Sequence, residues 1–452
     1  MKKKLTVQEY VVVASMLFGL FFGAGNLIFP VHMGQMAGNH LVSATLGFLI
    51  TGVGLPLLSV AALGISKSEG LFDLSRKVSR PYAYFFTCLL YLTIGPFFAI
   101  PRCATTAFTV GIEQAVPQAA EQLRLWLLVF SAVFFAAALL FSLFPGKILT
   151  WVGKILNPFF LLFLGILIIV ALVKPSAAIS AVAPEGAYAS QAFSTGFLEG
   201  YNTMDVLAGL AFGIIVVQVI RELGVTDADA VASSTVKAGV FSSLLMALIY
   251  LAVTVVGAQS RGLFATSENG GIALAQIARH YLGSAGLVIL AATVTLACLK
   301  TSVGLITSCA ETFCGMFPKG PGYRAWAVLF TLISFALSNF GLSTIISYSV
   351  PVLMFLYPLA IALVLLALFG RFYRHDRAVY ISVIVCTLLA ALYDLICALP
   401  EGLYDALHAD AVQAFGLRVL PFAGAGLGWI CPLALGFVIG LAVHLMQKFR
   451  TK

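Results

Sequence analysis

Four charged residues lie deep inside apolar stretches of the 452-residue chain and are the first candidates for chemistry: Arg102, Glu199, Asp205 and Lys300. A charged side chain at mid-bilayer costs roughly 2.5–3.5 kcal/mol on insertion scales, so each must face protein or water. Two interpretations stay open. The charges neutralise one another as structural pairs, or they bind a charged substrate, a proton or a coupling ion. Three further charges lie near the ends of apolar stretches, where they can reach water: Lys154, Glu311 and Asp394.

The stretch FFGAGNLIFP, residues 21–30, places helix-weakening residues inside an apolar segment. Gly23 and Gly25 destabilise a helix, and Pro30 removes a backbone donor. Glycine also lets the backbone approach a ligand without an intervening side chain, and the Asn26 side chain can hydrogen-bond a loosened turn. The stretch therefore predicts a helix that is broken in mid-membrane.

A second interruption lies in FLEGYNTMDVLAGLAFG, residues 197–213, around Glu199 and Asp205. Each interruption alone is a weak signal, because glycines in apolar helices also serve close packing. Gly19 and Gly23, for example, form a GxxxG pattern. The two interruptions together are a stronger signal of a binding site once their positions in the chain are compared.

Membrane-spanning helices are the elements that must position these residues. Hydrophobic residues make up 61% of the chain and charged residues 10%, and the mean hydropathy is +1.03. A soluble domain carries about 25% charged residues, and a spanning helix needs about 20 mostly apolar residues. The sequence therefore predicts an all-α integral membrane protein with twelve transmembrane helices. Their predicted ranges are 9–36, 41–65, 81–112, 124–144, 147–173, 192–220, 232–258, 284–312, 323–339, 341–369, 378–398 and 427–446.

Lysine and arginine are distributed unevenly between the two sets of loops that these spans create. Leaving aside Arg102 and Lys300, the set that includes the N-terminus holds 19 of them and the other set holds 5. The positive-inside rule places the richer set, with both termini, in the cytoplasm. The net charge of +8 is therefore a topology signal, and the sequence has no clustered basic face that would suit nucleic acid.

The interrupted spans are the first and the sixth, five helices apart. An odd number of helices per repeat inverts the second copy, so this pattern predicts the 5+5 inverted repeat of secondary transporters. We divide the chain into a first five-helix repeat (1–173), an outer linker (174–191), a second, inverted repeat (192–369), and two additional C-terminal helices with a cytoplasmic tail (370–452). Residues 270–283 predict a short outer amphipathic helix. Matched breaks at equivalent positions favour a binding site over simple helix packing.

A break in mid-membrane leaves backbone N–H groups at one helix start and carbonyls at the end of the other helix. The N-terminal end carries about +0.5 of an elementary charge, which suits a carboxylate. The carbonyls can ligate a hard cation such as Na⁺ or accept hydrogen bonds from an ammonium group. The breaks therefore predict a site for one zwitterionic amino acid and one cation.

Other function classes are less consistent with the sequence. A channel would need a repeated pore-lining ring and usually several subunits, and a membrane enzyme would need a cluster such as HExxH. Neither pattern occurs, and the eight cysteines have no metal-binding spacing. We expect a transporter rather than an enzyme or an ion channel, with no cofactor, no nucleic-acid partner and no obligatory protein partner.

Five motifs, in order, resemble those of the branched-chain amino acid:cation symporters, the bacterial system II carriers for leucine, isoleucine and valine. The motifs are GLFFGAGNLIFP, IGPFFAIPR, EGYNTMDVLAGLAFG, CLKTSVGL and SVPVLMFLYP. The resemblance, which covers essentially the whole chain, implies a LeuT-type fold in the cytoplasmic membrane. It also implies uptake of branched-chain amino acids by alternating access, coupled to Na⁺ or, in some members, H⁺. A transporter of another amino acid on the same fold is the alternative.

The resemblance also implies roles for individual residues. Na⁺ would be held by backbone carbonyls and by hydroxyls of the eighth helix, at Gly19, Phe22, Cys298, Thr301 and Ser302. Substrate would meet the two broken segments, at Phe21, Ala24, Gly25, Asn26, Tyr201, Asn202, Thr203 and Asp205. Within that second group, Tyr201 is a candidate lid or apolar wall.

Lys300 and Asp205 fit this mapping least well. An ammonium group next to Thr301 and Ser302 would repel Na⁺. Neighbouring helix residues point about 100° apart, so Lys300 can face elsewhere, or its ammonium can take the place of a coupling cation. Asp205 could bind the substrate ammonium, pair with Lys300, or carry a proton.

Overall fold

A computed structural model describes residues 4–23, 25–68, 70–116, 119–143 and 157–450, and this part of the chain is built from helices. Two residues named above, Ala24 and Lys154, lie outside the described residues. Eight described helical stretches are long and apolar enough to cross a membrane, and three shorter apolar helices accompany them. The chain is therefore a multi-pass membrane protein.

The first predicted span is broken, as the sequence predicted. Helix α1 (Val7–Phe21) ends where Phe22 leaves the helical region, with φ −74° and ψ 95°, and α2 (Gly25–Ala37) follows. The Asn26 side chain accepts a hydrogen bond from the Gly23 N–H at 2.8 Å. Asn26 thus satisfies one of the backbone donors that the break frees, which confirms its predicted action on the loosened turn.

The third predicted span differs from the expectation of an unbroken helix. After α3 (Leu41–Leu49), α4 (Leu55–Ile65) and α5 (Leu71–Arg76), the chain forms α6 (Arg80–Leu92) and α7 (Ala99–Gly111). A kink separates α6 from α7 at Gly95, which has φ −96° and ψ −121°. Pro96 follows Gly95, and a proline disfavours helical conformation in the residue before it. Arg102, on α7 beyond this kink, is buried.

The sixth predicted span is also broken. Helices α8 (Ala120–Leu143) and α9 (Asn157–Val173) precede α10 (Tyr188–Glu199), a 3₁₀ turn over Gly200–Thr203, and α11 (Asp205–Glu222). Met204 joins the turn to α11 in the left-handed conformation, with φ 62°. A non-glycine residue in this region is strained, so surrounding contacts must hold the break open.

The next helices are α12 (Ala228–Ser260), α13 (Gly270–Met316), α14 (Tyr323–Ser338) and α15 (Leu342–Phe369). The predicted short helix over 270–283 and the span that follows it are two helical segments of α13, which meet at a kink at Gly283. Gly283 has φ 65°, a conformation that glycine adopts easily. The kink therefore lies at the predicted boundary between the two segments.

Glycines bring α2 unusually close to α12. A Cβ atom added to Gly34 would lie 2.1 Å from the carbonyl oxygen of Thr254, and one added to Gly257 would lie 2.2 Å from that of Val31. Only glycine fits at these two crossings. The close packing brings Tyr250 of α12 next to Asn26 in the first break.

Four helices complete the chain: α16 (Arg377–Cys397), α17 (Glu401–Ala406), α18 (Ala409–Val419) and α19 (Ile430–Arg450). Glu311 is exposed, as expected for a charge near a span end. The same expectation is wrong for Asp394, which is only 3% exposed. Helix α18 packs against α16 near this residue, and the Tyr393 hydroxyl donates to the Gln413 carbonyl at 3.5 Å.

Candidate functional site

The two helix breaks meet through a buried hydrogen-bond network. The Asn26 side-chain amide donates to Asp205 Oδ2 at 2.6 Å, and it also hydrogen-bonds the Tyr250 hydroxyl. That hydroxyl donates to the same Asp205 oxygen at 3.1 Å. Asp205 is the first residue of α11, where the N-terminal helix charge favours a carboxylate. One carboxylate therefore ties α2, α11 and α12 together.

Arg102 reaches the second break from α7. Its Nη1 donates to the Asn202 carbonyl at 2.7 Å, and its guanidinium carbon lies 5.0 Å from the centre of the Phe29 ring, a cation–π distance. The side chain also approaches the first break, because a Cβ atom on Gly25 would lie 2.9 Å from Arg102 Nη2. Arg102 is only 4% exposed, so this cation contacts protein rather than bulk water.

A cavity of about 40 Å³ lies between the breaks. Its lining consists of Leu20, Phe21, Gly23, Gly25, Asn26, Ile94, Ala99, Arg102, Cys103, Thr203, Met204, Asp205, Ala208, Phe212, Thr301 and Leu305. This volume has room for only a few water-sized groups. An amino acid of leucine size would require side chains such as Phe212 to move apart. Arg102 and Asp205 both line this one cavity.

Seven predicted residues line the cavity: Phe21, Gly25, Asn26, Arg102, Thr203, Asp205 and Thr301. The other described candidates do not: Gly19, Phe22, Glu199, Tyr201, Asn202, Cys298, Lys300 and Ser302. Among these, Asn202 contributes through its carbonyl to Arg102. Tyr201 instead stacks on Tyr357, with ring centroids 4.0 Å apart.

Direct pairing does not explain Arg102 and Asp205. In the described part of the chain, Arg102 binds a carbonyl and a ring face, while Asp205 accepts from an amide and a phenol. The ion pairs among the described residues join other side chains. These two opposite charges are therefore each held in place beside the cavity without neutralising each other by contact.

The α13 residue Thr301 approaches the first break from another side. Thr301 Oγ1 lies 3.6 Å from the position that a Cβ atom on Gly23 would occupy, and it donates to the Ala297 carbonyl at 3.1 Å. Ser302 is fully buried, and its hydroxyl has no hydrogen-bond partner among the described residues. Threonine and serine hydroxyls are oxygen ligands that a hard cation prefers, and of these two residues only Thr301 is shown close to the first break.

Sequence reasoning missed Tyr250, which completes the network around Asp205. Nothing in its local sequence distinguishes it from the other tyrosines in apolar spans. Its role arises from the close packing of α12 on α2, and a single sequence does not display that contact.

The comparisons with known proteins agree on the family. A family model described as "Branched-chain amino acid transport protein" matches residues 6–447. The chain is 53% identical over 450 residues to "Branched-chain amino acid permease BrnQ" of Lactobacillus delbrueckii subsp. lactis, with 100% of both chains covered. It is 39% identical over 453 residues to the permease BrnQ of Bacillus subtilis (strain 168), again with 100% of both covered.

Two solved structures share the fold. The nucleobase-cation-symport-1 family transporter Mhp1, in a closed conformation with bromovinylhydantoin bound, matches with a TM-score of 0.61 and 15% identity. The alignment covers 98% of this chain and 93% of Mhp1. MhsT in complex with L-phenylalanine matches with a TM-score of 0.57 and 16% identity, covering 98% of this chain and 99% of MhsT. The expected LeuT-type fold is thereby confirmed.

Proposed function

The chain belongs to the family of branched-chain amino acid transport proteins, and from this premise we propose that it imports leucine, isoleucine and valine across a bacterial cytoplasmic membrane. It works as a secondary active symporter by alternating access. The relatives named as branched-chain amino acid permeases support the substrate class. The proposal also keeps Na⁺ as the coupling ion, with H⁺ as the alternative.

The proposed architecture has twelve spans, both termini in the cytoplasm, a first repeat over 1–173, a linker over 174–191, an inverted repeat over 192–369, and two additional C-terminal helices in 370–452. Breaks in the first and sixth spans support this division, because inverted-repeat transporters place such breaks at equivalent positions. The 19-to-5 distribution of basic residues supports the orientation.

The observation that carries the proposal is the pair of buried opposite charges on one cavity. A zwitterionic amino acid presents one carboxylate and one ammonium group, so we assign the substrate carboxylate to Arg102 and the ammonium to Asp205. Arg102 Nη2 lies 2.9 Å from the Cβ position of Gly25, and the guanidinium and the backbone amides of the first break can therefore share the carboxylate. Apolar lining residues such as Ile94 and Phe212 suit a branched aliphatic side chain.

We assign the cation to the hydroxyls of Thr301 and Ser302, together with carbonyls of Gly19, Phe22 and Cys298. The buried Ser302 hydroxyl without a partner supports this assignment, because a cation would satisfy its oxygen. Lys300 does not line the central cavity, which favours a free cation over a lysine surrogate.

Uptake of labelled leucine into proteoliposomes tests the transport proposal, with Na⁺ and proton gradients imposed separately. A symporter accumulates leucine under at least one gradient and exchanges internal for external leucine in counterflow. A protein that conducts without counterflow would be a channel, and the proposal would be wrong.

The charge assignment needs its own measurement, which is competition by leucine analogues that lack either the carboxylate or the amino group. A hydrogen bond to a charged group contributes about 1.5–3 kcal/mol, or roughly 10- to 150-fold in affinity. Arg102→Gln should weaken leucine binding by a factor in this range, yet it should hardly change competition by the analogue that lacks the carboxylate. Arg279→Gln, at an exposed arginine, is the matched control. If Arg102→Gln weakened the binding of leucine and of this analogue equally, Arg102 would not be the group that binds the substrate carboxylate.

A further inference from the structure

Two cavities that the proposed transport site does not use lie at the end of α13. The larger, of about 730 Å³, lies beside the loop between α13 and α14, where Trp326 lines it together with other apolar side chains and with Lys319. The smaller, of about 440 Å³, lies between α5, α6 and α13, and its lining includes Arg80. Met316 and Pro318 line both cavities, so the two cavities adjoin.

A row of aromatic rings connects the two cavities. The ring of Tyr84 on α6, which lines the smaller cavity, has its centroid 6.0 Å from that of Phe317 in the larger one. The Phe317 ring lies 5.8 Å from that of Phe313, which lies 5.1 Å from that of Trp326. The Gly320 N–H donates to the Phe317 carbonyl at 2.8 Å, which holds the loop after Phe317 in a turn. We call the two cavities with this row of rings the α13 groove.

The α13 groove lies at one end of the spanning helices, where lipid headgroups meet acyl chains. Helix α14 begins at Tyr323, and Trp326 lies in its first turn. Tyrosine and tryptophan are enriched at this depth of a bilayer. Leu329, about one turn further along α14, is 43% exposed, as expected for the lipid-facing side of a spanning helix. An acyl chain that enters the groove can therefore continue along α14 into the surrounding lipid.

The two cations of the groove are not neutralised by the protein. Arg80 and Lys319 are exposed, and neither forms an ion pair among the described residues. Asp73 of α5 and Glu311 of α13 are the nearest carboxyl groups along these helices, but they line neither cavity. Both cations belong to the set of loops that holds 19 basic residues, which is the side proposed to be cytoplasmic. An anionic headgroup complements this charge.

We propose that the α13 groove binds an anionic phospholipid, with its headgroup held by Arg80 and Lys319 and an acyl chain along the rings towards Trp326. Guanidinium and ammonium groups donate charge-assisted hydrogen bonds to phosphate oxygens. Acyl chains are already in an apolar medium, so selectivity must come from the headgroup. A basic residue at the membrane surface strengthens the binding of an anionic lipid about fivefold, and two give roughly 25-fold.

Tryptophan fluorescence tests this site, because Trp326 lines the groove and bromine on an acyl chain quenches tryptophan at close range. The chain has four tryptophans, so Trp126→Phe, Trp151→Phe and Trp429→Phe together leave Trp326 as the reporter. The full-length reporter protein is reconstituted in phosphatidylcholine vesicles that contain an equal, small fraction of brominated phosphatidylglycerol or brominated phosphatidylcholine. Titration of that fraction should show a preference of about 25-fold for phosphatidylglycerol.

Substitutions of basic residues separate the groove from general surface charge. Arg80→Gln and Lys319→Gln should each reduce the preference about fivefold. Lys237→Gln is the matched control, because Lys237 is an exposed basic residue of α12 that lines neither cavity. It should keep the full preference. Glycerol phosphate, a soluble headgroup without acyl chains, should not relieve the quenching.

Three results would overturn the proposal: equal quenching of Trp326 by the two brominated lipids, an equal loss of preference in Lys237→Gln, or relief of quenching by glycerol phosphate. If the three tryptophan substitutions prevent insertion, native mass spectrometry of the parent in detergent with added phosphatidylglycerol decides the matter. The parent should retain a bound lipid, and Arg80→Gln combined with Lys319→Gln should lose most of it. Equal retention by both proteins would refute the site. None of these measurements depends on leucine transport, so they stand or fail separately from the proposed function.

Discussion

Gly25 offers the sharpest test of the substrate site, because its missing side chain makes room for Arg102. A Cβ atom at this position would lie 2.9 Å from Arg102 Nη2, 3.3 Å from Phe29 Cε2 and 3.4 Å from Arg102 Cζ. Alanine therefore forces the guanidinium to move by a few tenths of an ångström, and the β-branched valine adds two further methyl groups. The added methyl groups would also press on the Phe29 ring, which lies 3.3 Å from the Cβ position.

The expected size of the effect follows from the bond that Arg102 would lose. Its Nη1 donates to the Asn202 carbonyl at 2.7 Å, so a displaced guanidinium weakens this bond and leaves the site assigned to the substrate carboxylate. A hydrogen bond that involves a charged group contributes about 1.5–3 kcal/mol. Gly25→Ala should raise the half-saturating leucine concentration about tenfold, which corresponds to the lower end of that energy range. Gly25→Val should abolish measurable uptake.

The measurement is initial leucine uptake against leucine concentration, normalised to the amount of protein inserted in the membrane. Gly304→Ala is the control in α13, because among the described residues nothing beyond its own stretch of helix lies within 4 Å of its added Cβ, and it should behave like the parent. Gly23→Ala, whose nearest neighbour is Thr301 Cγ2 at 3.5 Å, should have a small effect. Near-parental half-saturation in Gly25→Val, with normal insertion, would refute the position assigned to the substrate carboxylate.

Four other outcomes are expected. Excess isoleucine should compete with leucine far better than lysine or glutamate, whose side-chain charge would be buried unpaired; equal competition would contradict the apolar pocket. Thr301→Ala should raise the half-saturating Na⁺ concentration several-fold while Thr301→Ser stays near the parent, and unchanged Na⁺ dependence in Thr301→Ala would remove Thr301 from the cation site. Lys300→Ala should keep its Na⁺ dependence, whereas a parent that transports without Na⁺ would point to Lys300 as the cation surrogate. His444 hydrogen-bonds Asp376 at 2.5 Å and thereby lowers the pKa of Asp376. This contact stabilises the folded protein above the ordinary aspartate pKa, and the stabilisation is lost as the pH falls through the lowered pKa of Asp376. His444→Gln should therefore lower the thermal unfolding midpoint at neutral pH and match the parent in acid.

Local chemistry made both helix breaks predictable from the sequence. Glycines and polar residues inside an apolar run conflict with the only structure that satisfies the backbone in lipid, so the interruption at Gly23 and Gly25 stands out. The kink at Gly95 does not stand out in the sequence in the same way, although Pro96 follows it directly. Proline is frequent in membrane helices and often only bends them, so the sequence alone does not distinguish a gentle bend from a kink that ends the helix.

Long-range contacts account for what the sequence did not reveal. Asn26 and Asp205 are 179 positions apart, and Asn26 and Tyr250 are 224 apart, so no local pattern joins them. The burial of Asp394 has the same origin. Its place near the end of a span suggested access to water, but α18 covers that end of α16.

The segment Tyr201–Asp205 is where these long-range contacts converge, and its geometry suggests how binding could move the protein. Met204 is left-handed, which costs an L-residue roughly 1–2 kcal/mol relative to a continuous helix. That strain is opposed by the Arg102 bond to Asn202 and by the Asn26 bond to Asp205. In the proposed binding mode, a substrate carboxylate on Arg102 and a substrate ammonium on Asp205 would compete with these same two bonds. Since a ligand shifts a conformational equilibrium only by its differential affinity for the two states, a strained segment held by the groups that we assign to the substrate needs only a modest difference in affinity to change its conformation.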